Sequence, residues 1–425
     1  MIDIKQIRED AQKFKDACKA KGFAVDIDRL LQVDSVLRES KQKLQYISTE
    51  KNRLGKSIPS LSVDKKPPVL AKLSQMKEDE AKLQEQIKNL QPEFDGLMLF
   101  VPQPTDDDVP IGKDDTENVE IKRIGKVRQF DFQPKDHVQL GRDLGIIDIE
   151  RGVKLAGTRN YILKGDGALL HWAVLRFAID FMVQKGYTPM SVPLLMRDEA
   201  MLGTAYFPGG EEQTYRMEKD QLNLAGTAEV PLTAYHMGEI LDADELPLKY
   251  VALSSCFRRE AGAAGKDTYG LYRIHQFDKV EQVVICKNSI EESDKFHQEI
   301  LSNAEAIMQA LELPYRIVNV CTGDLGRGQA KKFDIEAWMP SRGNYCETHS
   351  ASKFYEFQAR RMNLRYKDPA TKKNLFCHTL NNTVIASPRI LIPILELYQN
   401  ADGSITIPKV IRPYMNGKEK IVATS

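Results

Sequence analysis

Two consecutive heptad runs constrain the N-terminal quarter of this chain more than any other feature. The first passes through Leu30, Val33, Leu37, Ser40, Leu44, Ile47, Lys51 and Leu54, and the second through Leu73, Met76, Glu80, Leu83, Ile87, Leu90, Phe94 and Leu97. Apolar side chains repeating at that spacing form one seam along a helix, and a seam needs a partner. Between the runs, Ser57 to Lys66 carries Pro59, serines and lysines, a turn composition, and Pro67-Pro68 stands where a helix begins. The pattern predicts a two-helix antiparallel coiled coil, roughly 45 Å long at 1.5 Å per residue. From Arg38 to Lys72 there are nine Lys or Arg against three Asp or Glu, a net of +6. A rod end so charged can meet a phosphate backbone with salt-sensitive affinity, although outer heptad lysines also simply keep a coiled coil soluble.

Beyond Leu97 the stretch VPQPTDDDVPIGKDD is Pro- and Asp-rich, which places a domain boundary and divides the chain into 1–105 and 106–425. The remainder alternates strand candidates (Leu248 to Leu253, Ile274 to Ile285, Tyr315 to Val320, Lys332 to Trp338) with amphipathic helices (Ala168 to Gln184, Glu291 to Leu311, Ile390 to Gln399). Hairpin-like spacing predicts an α+β fold, a mainly antiparallel sheet with flanking helices. Neither a Walker nor a Rossmann glycine pattern occurs, so a nucleotide would not be held in the usual parallel-sheet manner. Lys plus Arg equals Asp plus Glu at 60 each, so any nucleic-acid contact must come from local clustering. Six cysteines without CxxC spacing argue against structural zinc or a disulfide framework and fit a reducing cytoplasm. No segment reads as a signal peptide or membrane span.

The chemistry concentrates in CFRREAGAAGKDTYGLYRIHQFDKVE, Cys256 to Glu281, which reads as two strands around a loop holding Gly262, Gly265 and Gly270. Strand alternation puts Arg258 and Glu260 on one face, and His275, Phe277, Lys279 and Glu281 on another. Phe277 and Glu281 would lie about 13 Å apart. That span suits an adenine at one end and a small amino acid at the other, with a phosphate-facing arginine between them. The same residues could instead be an ordinary cross-strand ion pair, a core phenylalanine and a solvated carboxylate.

FRREAG…HQFDKVE resembles motif 2 of the class II aminoacyl-tRNA synthetases, and its surroundings resemble the seryl-tRNA synthetases over essentially the whole chain. GYTPMSVPLL with Pro193 is similar to the motif 1 dimer segment, Pro388-Arg389 with ILIPILELYQ to motif 3, and Thr227, Ala228 and Glu229 to the serine-binding TAE loop. The resemblance implies ATP-dependent ligation of L-serine to tRNA(Ser) through seryl-adenylate, with tRNA(Sec) charged where present. It implies ATP contacts from Arg258, Arg259, Glu260, Ile274, Phe277, Glu347, Thr348, His349, Ser350 and Arg389, with Arg258 and Arg389 as the catalytic cations. Serine would be held by Thr227, Ala228, Glu229, Arg258, Glu281, Asn381 and Thr383, the last two from a loop before motif 3. Mg²⁺ would bridge phosphates near Glu281 and Ser350, and the protein would be a cytoplasmic homodimer whose basic arm binds tRNA.

The chain departs from this resemblance at His349 and Lys353 in ETHSASKFYEFQARR, at NNTVIASPR in place of a glycine-rich segment, and at Pro393 inside the motif 3 helix. Lys353 is expected near the nucleotide, pointing outward, and Pro393 is expected to kink its helix or sit in an early turn. Two rivals remain open: a tRNA- or protein-binding module with a degenerate site, and a ligase that loads a carrier protein.

Overall fold

The computed structural model describes residues 1–262, 267 and 269–423. Gly265 of the loop lies outside the described residues. Cα packing divides the chain into Ile2–Pro102 and a second unit of Gln103–Ser425 with Met1.

In the first unit, helices α1 (Ile27–Ser57) and α2 (Lys66–Phe100) realise the two heptad runs. Leu30, Val33, Leu37, Ser40 and Leu54 are buried, and no seam position of either helix is fully exposed. The polar seam residues find partners across the hairpin: Lys51 forms an ion pair with seam residue Glu80, and Ser40 Oγ donates to Gln86, next to seam residue Ile87, at 3.2 Å. Together with Arg29 on Glu93 at 2.6 Å, these contacts set an antiparallel register. The turn between the helices consists of two short 3₁₀ turns, and prolines occupy the first turn of α2, where a missing N–H loses no bond. At the base, Arg8 grips Asp34 through two bonds of 2.7 and 2.6 Å, beside buried Ile7, Phe14, Leu30 and Val33.

The second unit is built on strands β1 (Val119–Ile124), β2 (Thr188–Met190), β3 (Leu248–Phe257), β4 (Gln276–Cys286), β5 (Tyr315–Asn319), β6 (Lys331–Met339), β7 (Asn344–Tyr355) and β8 (His378–Ser387). Their order across the sheet is β1-β5-β6-β7-β8-β4-β3-β2, antiparallel except for the edge pair β2·β3. Helices α3 (His137–Asp143), α4 (Asp166–Gln184), α5 (Ile290–Ala310) and α6 (Leu391–Leu397) surround it. Alternation along β4 explains the layering. Val280, Val284 and Cys286 join a core with Ala173, Phe177 and Ile300 from the helices, while Val283 and Ile285 enter a second core with Leu232 and Met362.

Four expectations need correcting. Asn381 and Thr383 lie on a central strand, not in a loop, because TLNNTVIAS pairs with both β4 and β7. Arg258 and Glu260 lie beyond the end of β3, and Glu260 has φ +51°, so strand alternation does not relate them. His275 likewise precedes β4, and its Nδ1 lies 3.0 Å from the Arg258 carbonyl. Lys353 does not point outward: its side chain is 2 % exposed, paired with Asp106 at 2.6 Å and with Asp294. Burial opposes its charge, but the bonds to these carboxylates outweigh burial and raise its pKa. Pro393 occupies the first turn of α6, as one of the two expectations had it.

Lys353→Ala leaves Asp106 and Asp294 without their shared cation. Because Asp294 is half exposed, the expected loss is about 2 kcal/mol, less than for a fully buried pair, read as a lower urea midpoint for this unit.

Candidate active site

One face of β4 carries Phe277, Lys279 and Glu281 into a cavity of about 220 Å³. Strand β8 supplies Asn381 and Thr383, with Thr383 opposite Glu281 in register, and β7 supplies Glu347, Thr348, Ser350 and Ser352. Arg258 and Glu260 enter from the end of β3, Ile274 from the segment leading into β4, and Arg389 from the turn before α6. Thr227 and Glu229 close one end, at the start of the short helix Glu229–Thr233.

Charge at that end is buried and tightly bonded. Lys279 Nζ donates to Thr227 Oγ1 at 2.8 Å and pairs with Glu281, whose Oε2 also accepts from Thr383 at 3.4 Å. Glu229 accepts from Gln358 Nε2 at 2.8 Å. Burial, reinforced by the neighbouring Glu281 charge, raises the Glu229 pKa to about 7. Asn381 Nδ2 is buried on the cavity wall with no partner among the described residues. An unmet donor beside carboxylates and hydroxyls forms a polar end that can bind an ammonium, a carboxylate and a hydroxyl together.

The other end is cationic and aromatic. The Arg258 guanidinium lies 5.2 Å from the Phe277 ring centroid, and its Nε donates to the Gly226 carbonyl at 3.3 Å. Arg389 donates to the Tyr272 and Glu347 carbonyls at 3.3 and 3.1 Å and lies 4.4 Å from the Tyr272 ring. Arg273 pairs with Glu260 at 2.9 Å, and Arg389 approaches the Glu347 carboxylate at 3.7 Å. Burial pushes the Glu347 pKa up, but Arg389, Lys332 and Arg258 draw it below its ordinary value. Of the cavity cations, only Arg258 has no ion pair among the described residues.

Three candidates do not reach the cavity wall. Ala228 is buried in the core behind it, Arg259 is exposed, and His349 is buried with Nδ1 2.8 Å from Thr348 Oγ1. Lys353 is also absent from the wall. The departures at His349 and Lys353 therefore fall outside the cavity lining. Tyr206, Leu271, Tyr272, Arg273, Gln329, Ser352 and Ala386 line the cavity without having been marked in the sequence. Strand alternation does put Lys279 on the face of Phe277 and Glu281, and this was the signal available for its place. Tyr206 and Gln329 come from distant loops and carry no local signal.

Residues 213–398 match the family described as tRNA synthetase class II core domain (G, H, P, S and T), and 1–104 match the seryl-tRNA synthetase N-terminal domain. The fold and cavity thus belong to a class II aminoacyl-tRNA synthetase. The chain is 47% identical to a serine–tRNA ligase of Deinococcus radiodurans over 99% of its length and 98% of the relative's. It is 42% identical to one of Fervidobacterium nodosum, over 98% of each. The crystal structure of seryl-tRNA synthetase from Pyrococcus horikoshii complexed with ATP covers all of both chains at 38% identity, with a TM-score of 0.94. The chain belongs to the seryl-tRNA synthetases, the serine–tRNA ligases of class II.

Because the folded Glu229 pKa lies above the usual carboxylate value, the native state holds a proton that the unfolded chain releases. Its contribution to stability is present below the unfolded pKa and is lost as pH rises through about 7. Glu229→Gln should therefore gain stability relative to the unsubstituted protein between pH 5 and pH 8, by an amount on the order of 3 kcal/mol. Urea unfolding at the two pH values measures it, and a pH-independent difference would contradict the assignment.

Proposed function

We propose that this chain forms seryl-adenylate from ATP and L-serine and then transfers serine to the terminal ribose of tRNA(Ser), and of tRNA(Sec) where that tRNA is present. The observation that carries the reading is Arg258, a cavity guanidinium that makes no carboxylate ion pair among the described residues and lies beside Phe277 at the cationic and aromatic end. The serine carboxylate attacks the α-phosphorus, a phosphorus–oxygen bond to pyrophosphate breaks, and negative charge spreads over the phosphate oxygens. Arg258 draws off that charge and aligns both reactants, and Arg389 binds the outgoing phosphates from the opposite wall. No protein nucleophile is needed.

Phe277 would stack on adenine, with Ile274 and Glu260 beside the nucleotide. Glu281, Glu229 and Thr227 would receive the serine ammonium and hydroxyl, with Asn381 and Thr383 completing the pocket. An alanine there would leave buried polar groups unpaired, which a hydroxyl-binding site rejects strongly. ATP brings Mg²⁺ in this reading, and the ion neutralises phosphate charge. The Glu281 oxygen is held by Lys279 and Thr383, so Ser350 with Glu347 on the same strand suits a hard cation better than Ser350 with Glu281.

The basic end of the arm would meet tRNA through phosphates and helix shape rather than base edges. A homodimer is supported by the exposed apolar face at edge strand β2, where Trp172 is 62% and Leu253 43% exposed around a hollow lined by Pro189 and Met190. No helix among the described residues is long and apolar enough to cross a membrane. A cytoplasmic setting belongs to the same proposal.

Arg258→Ala should reduce serine-dependent ATP–pyrophosphate exchange by about a thousandfold or more while the protein stays folded by circular dichroism; wild-type rates would refute its phosphate role. Deleting 34–93 should leave exchange within about twofold of wild type and lower tRNA charging by more than a hundredfold at physiological salt. Unchanged charging would remove the arm from the mechanism.

A further inference from the structure

Residues 271–274 close the cavity with Leu271, Tyr272, Arg273 and Ile274, yet they belong to no helix or strand. What holds this limb therefore decides where one wall of the site stands. From the cavity side, Arg389 Nε donates to the Tyr272 carbonyl at 3.3 Å. From the other side, the Leu271 N–H donates to His137 Nε2 at 3.1 Å. A ring nitrogen that accepts from an amide carries no proton, so the bonding assigns a neutral imidazole protonated on Nδ1, which donates to Glu396 Oε1 at 2.7 Å.

Glu396 is fully buried on α6 and accepts three further bonds: from His137 N–H at 3.0 Å, Ser341 N–H at 2.9 Å and Ser341 Oγ at 2.7 Å. A carboxylate in that position is tolerated only when its oxygens are satisfied, and four donors do so. It thereby ties the start of α3, the turn at Ser341 and the motif 3 helix into one rigid support for the imidazole. The limb rests on that ring at backbone distance: a Cβ at Gly270, which has φ +79°, would lie 2.2 Å from His137 Nε2. Behind the limb is a second cavity of about 330 Å³, lined by Asp136, His137, Tyr269, Tyr272, Ser341 and Arg342 among others, so the Leu271 end has room to withdraw once His137 is lost, while Arg159 still donates to the Arg273 carbonyl at 3.2 Å.

We propose that His137, oriented by Glu396, is a positioning residue for ATP: it fixes the Leu271–Ile274 limb so that Arg273 and Ile274 stand at the nucleotide end of the cavity. Neither His137 nor Glu396 lines that cavity. The serine end is held by β4, β8 and the Thr227–Glu229 turn, independently of this limb. The proposal rests on the reading of the cavity as an ATP and serine site, and its effect falls on one substrate more than the other.

The test uses full-length His137→Ala, His137→Gln and Gly270→Ala, reading hydrogen exchange at the Leu271 amide and the KM values of ATP and serine in pyrophosphate exchange. His137→Ala should speed Leu271 exchange and raise the KM for ATP by about tenfold, the worth of one hydrogen bond, with the KM for serine changed less than about twofold. Gln places an oxygen near the Nε2 position and should restore both readouts. Gly270→Ala pushes a methyl group against His137 Nε2 and so displaces the limb while His137 and Glu396 themselves remain, and it should reproduce the ATP effect even if His137→Ala fails to fold. Unchanged Leu271 exchange in His137→Ala, or equal KM increases for both substrates with no rescue by Gln, would overturn the proposal. Wild-type protein without serine-dependent exchange would instead refute the ATP and serine reading, while Leu271 exchange would still decide whether the imidazole supports the limb.

Discussion

Charged side chains on a central strand are the constraint on which the site depends. On central strand β4, Lys279 and Glu281 are 6% and 2% exposed, so each is stable there only with a partner. Each partners the other, and Thr227 and Thr383 take up further bonding capacity from neighbouring segments. One apolar edge of the same strand meanwhile enters the core against α4 and α5. The strand thus couples the stability of the sheet to the placement of the polar pocket, and the register that satisfies one also satisfies the other.

Around that strand the cavity cations differ in what holds them. Lys279, Arg273 and Arg389 are already engaged by carboxylates, which neutralises the cleft locally, whereas Arg258 rests against an aromatic ring and a carbonyl. Arg258 is thus the one cavity cation among the described residues whose guanidinium makes no direct carboxylate contact, although Glu260 and Glu347 lie in the same lining. The Tyr272 limb connects this cationic wall to the His137–Glu396 support, so the position of Arg389 and the position of the limb are linked through a backbone carbonyl.

The arm follows a simpler rule. Its seam is apolar wherever the helices need adhesion, and the polar seam positions Lys51 and Glu80 meet each other across the hairpin. Such a pair penalises shifted registers, in which each charge would face an apolar side chain.

The arm and four of the eight main-sheet strands were legible in the sequence because their signals are local, a period of 3.5 or 2 and proline at a helix start, whereas the three motifs were legible through their resemblance to a known family. Phe277, Lys279 and Glu281 share a face in the strand for the same reason. What the sequence could not disclose was pairing between distant segments. The family resemblance put Asn381 and Thr383 in a loop, yet Asn381 and Asn382 pair with strands on both sides and Thr383 to Ser387 with β4, which makes the segment a central strand. Lys353 reads as a surface charge until Asp106 and Asp294, far away along the chain, bury it. The sequence by itself determined the arm, several strands and the shared face of Phe277, Lys279 and Glu281, since these follow from residue type and short-range period. Only the tertiary structure decided which charges neutralise one another and which guanidinium remains for a ligand, because electrostatic energy depends on distances across the sheet that no local pattern encodes.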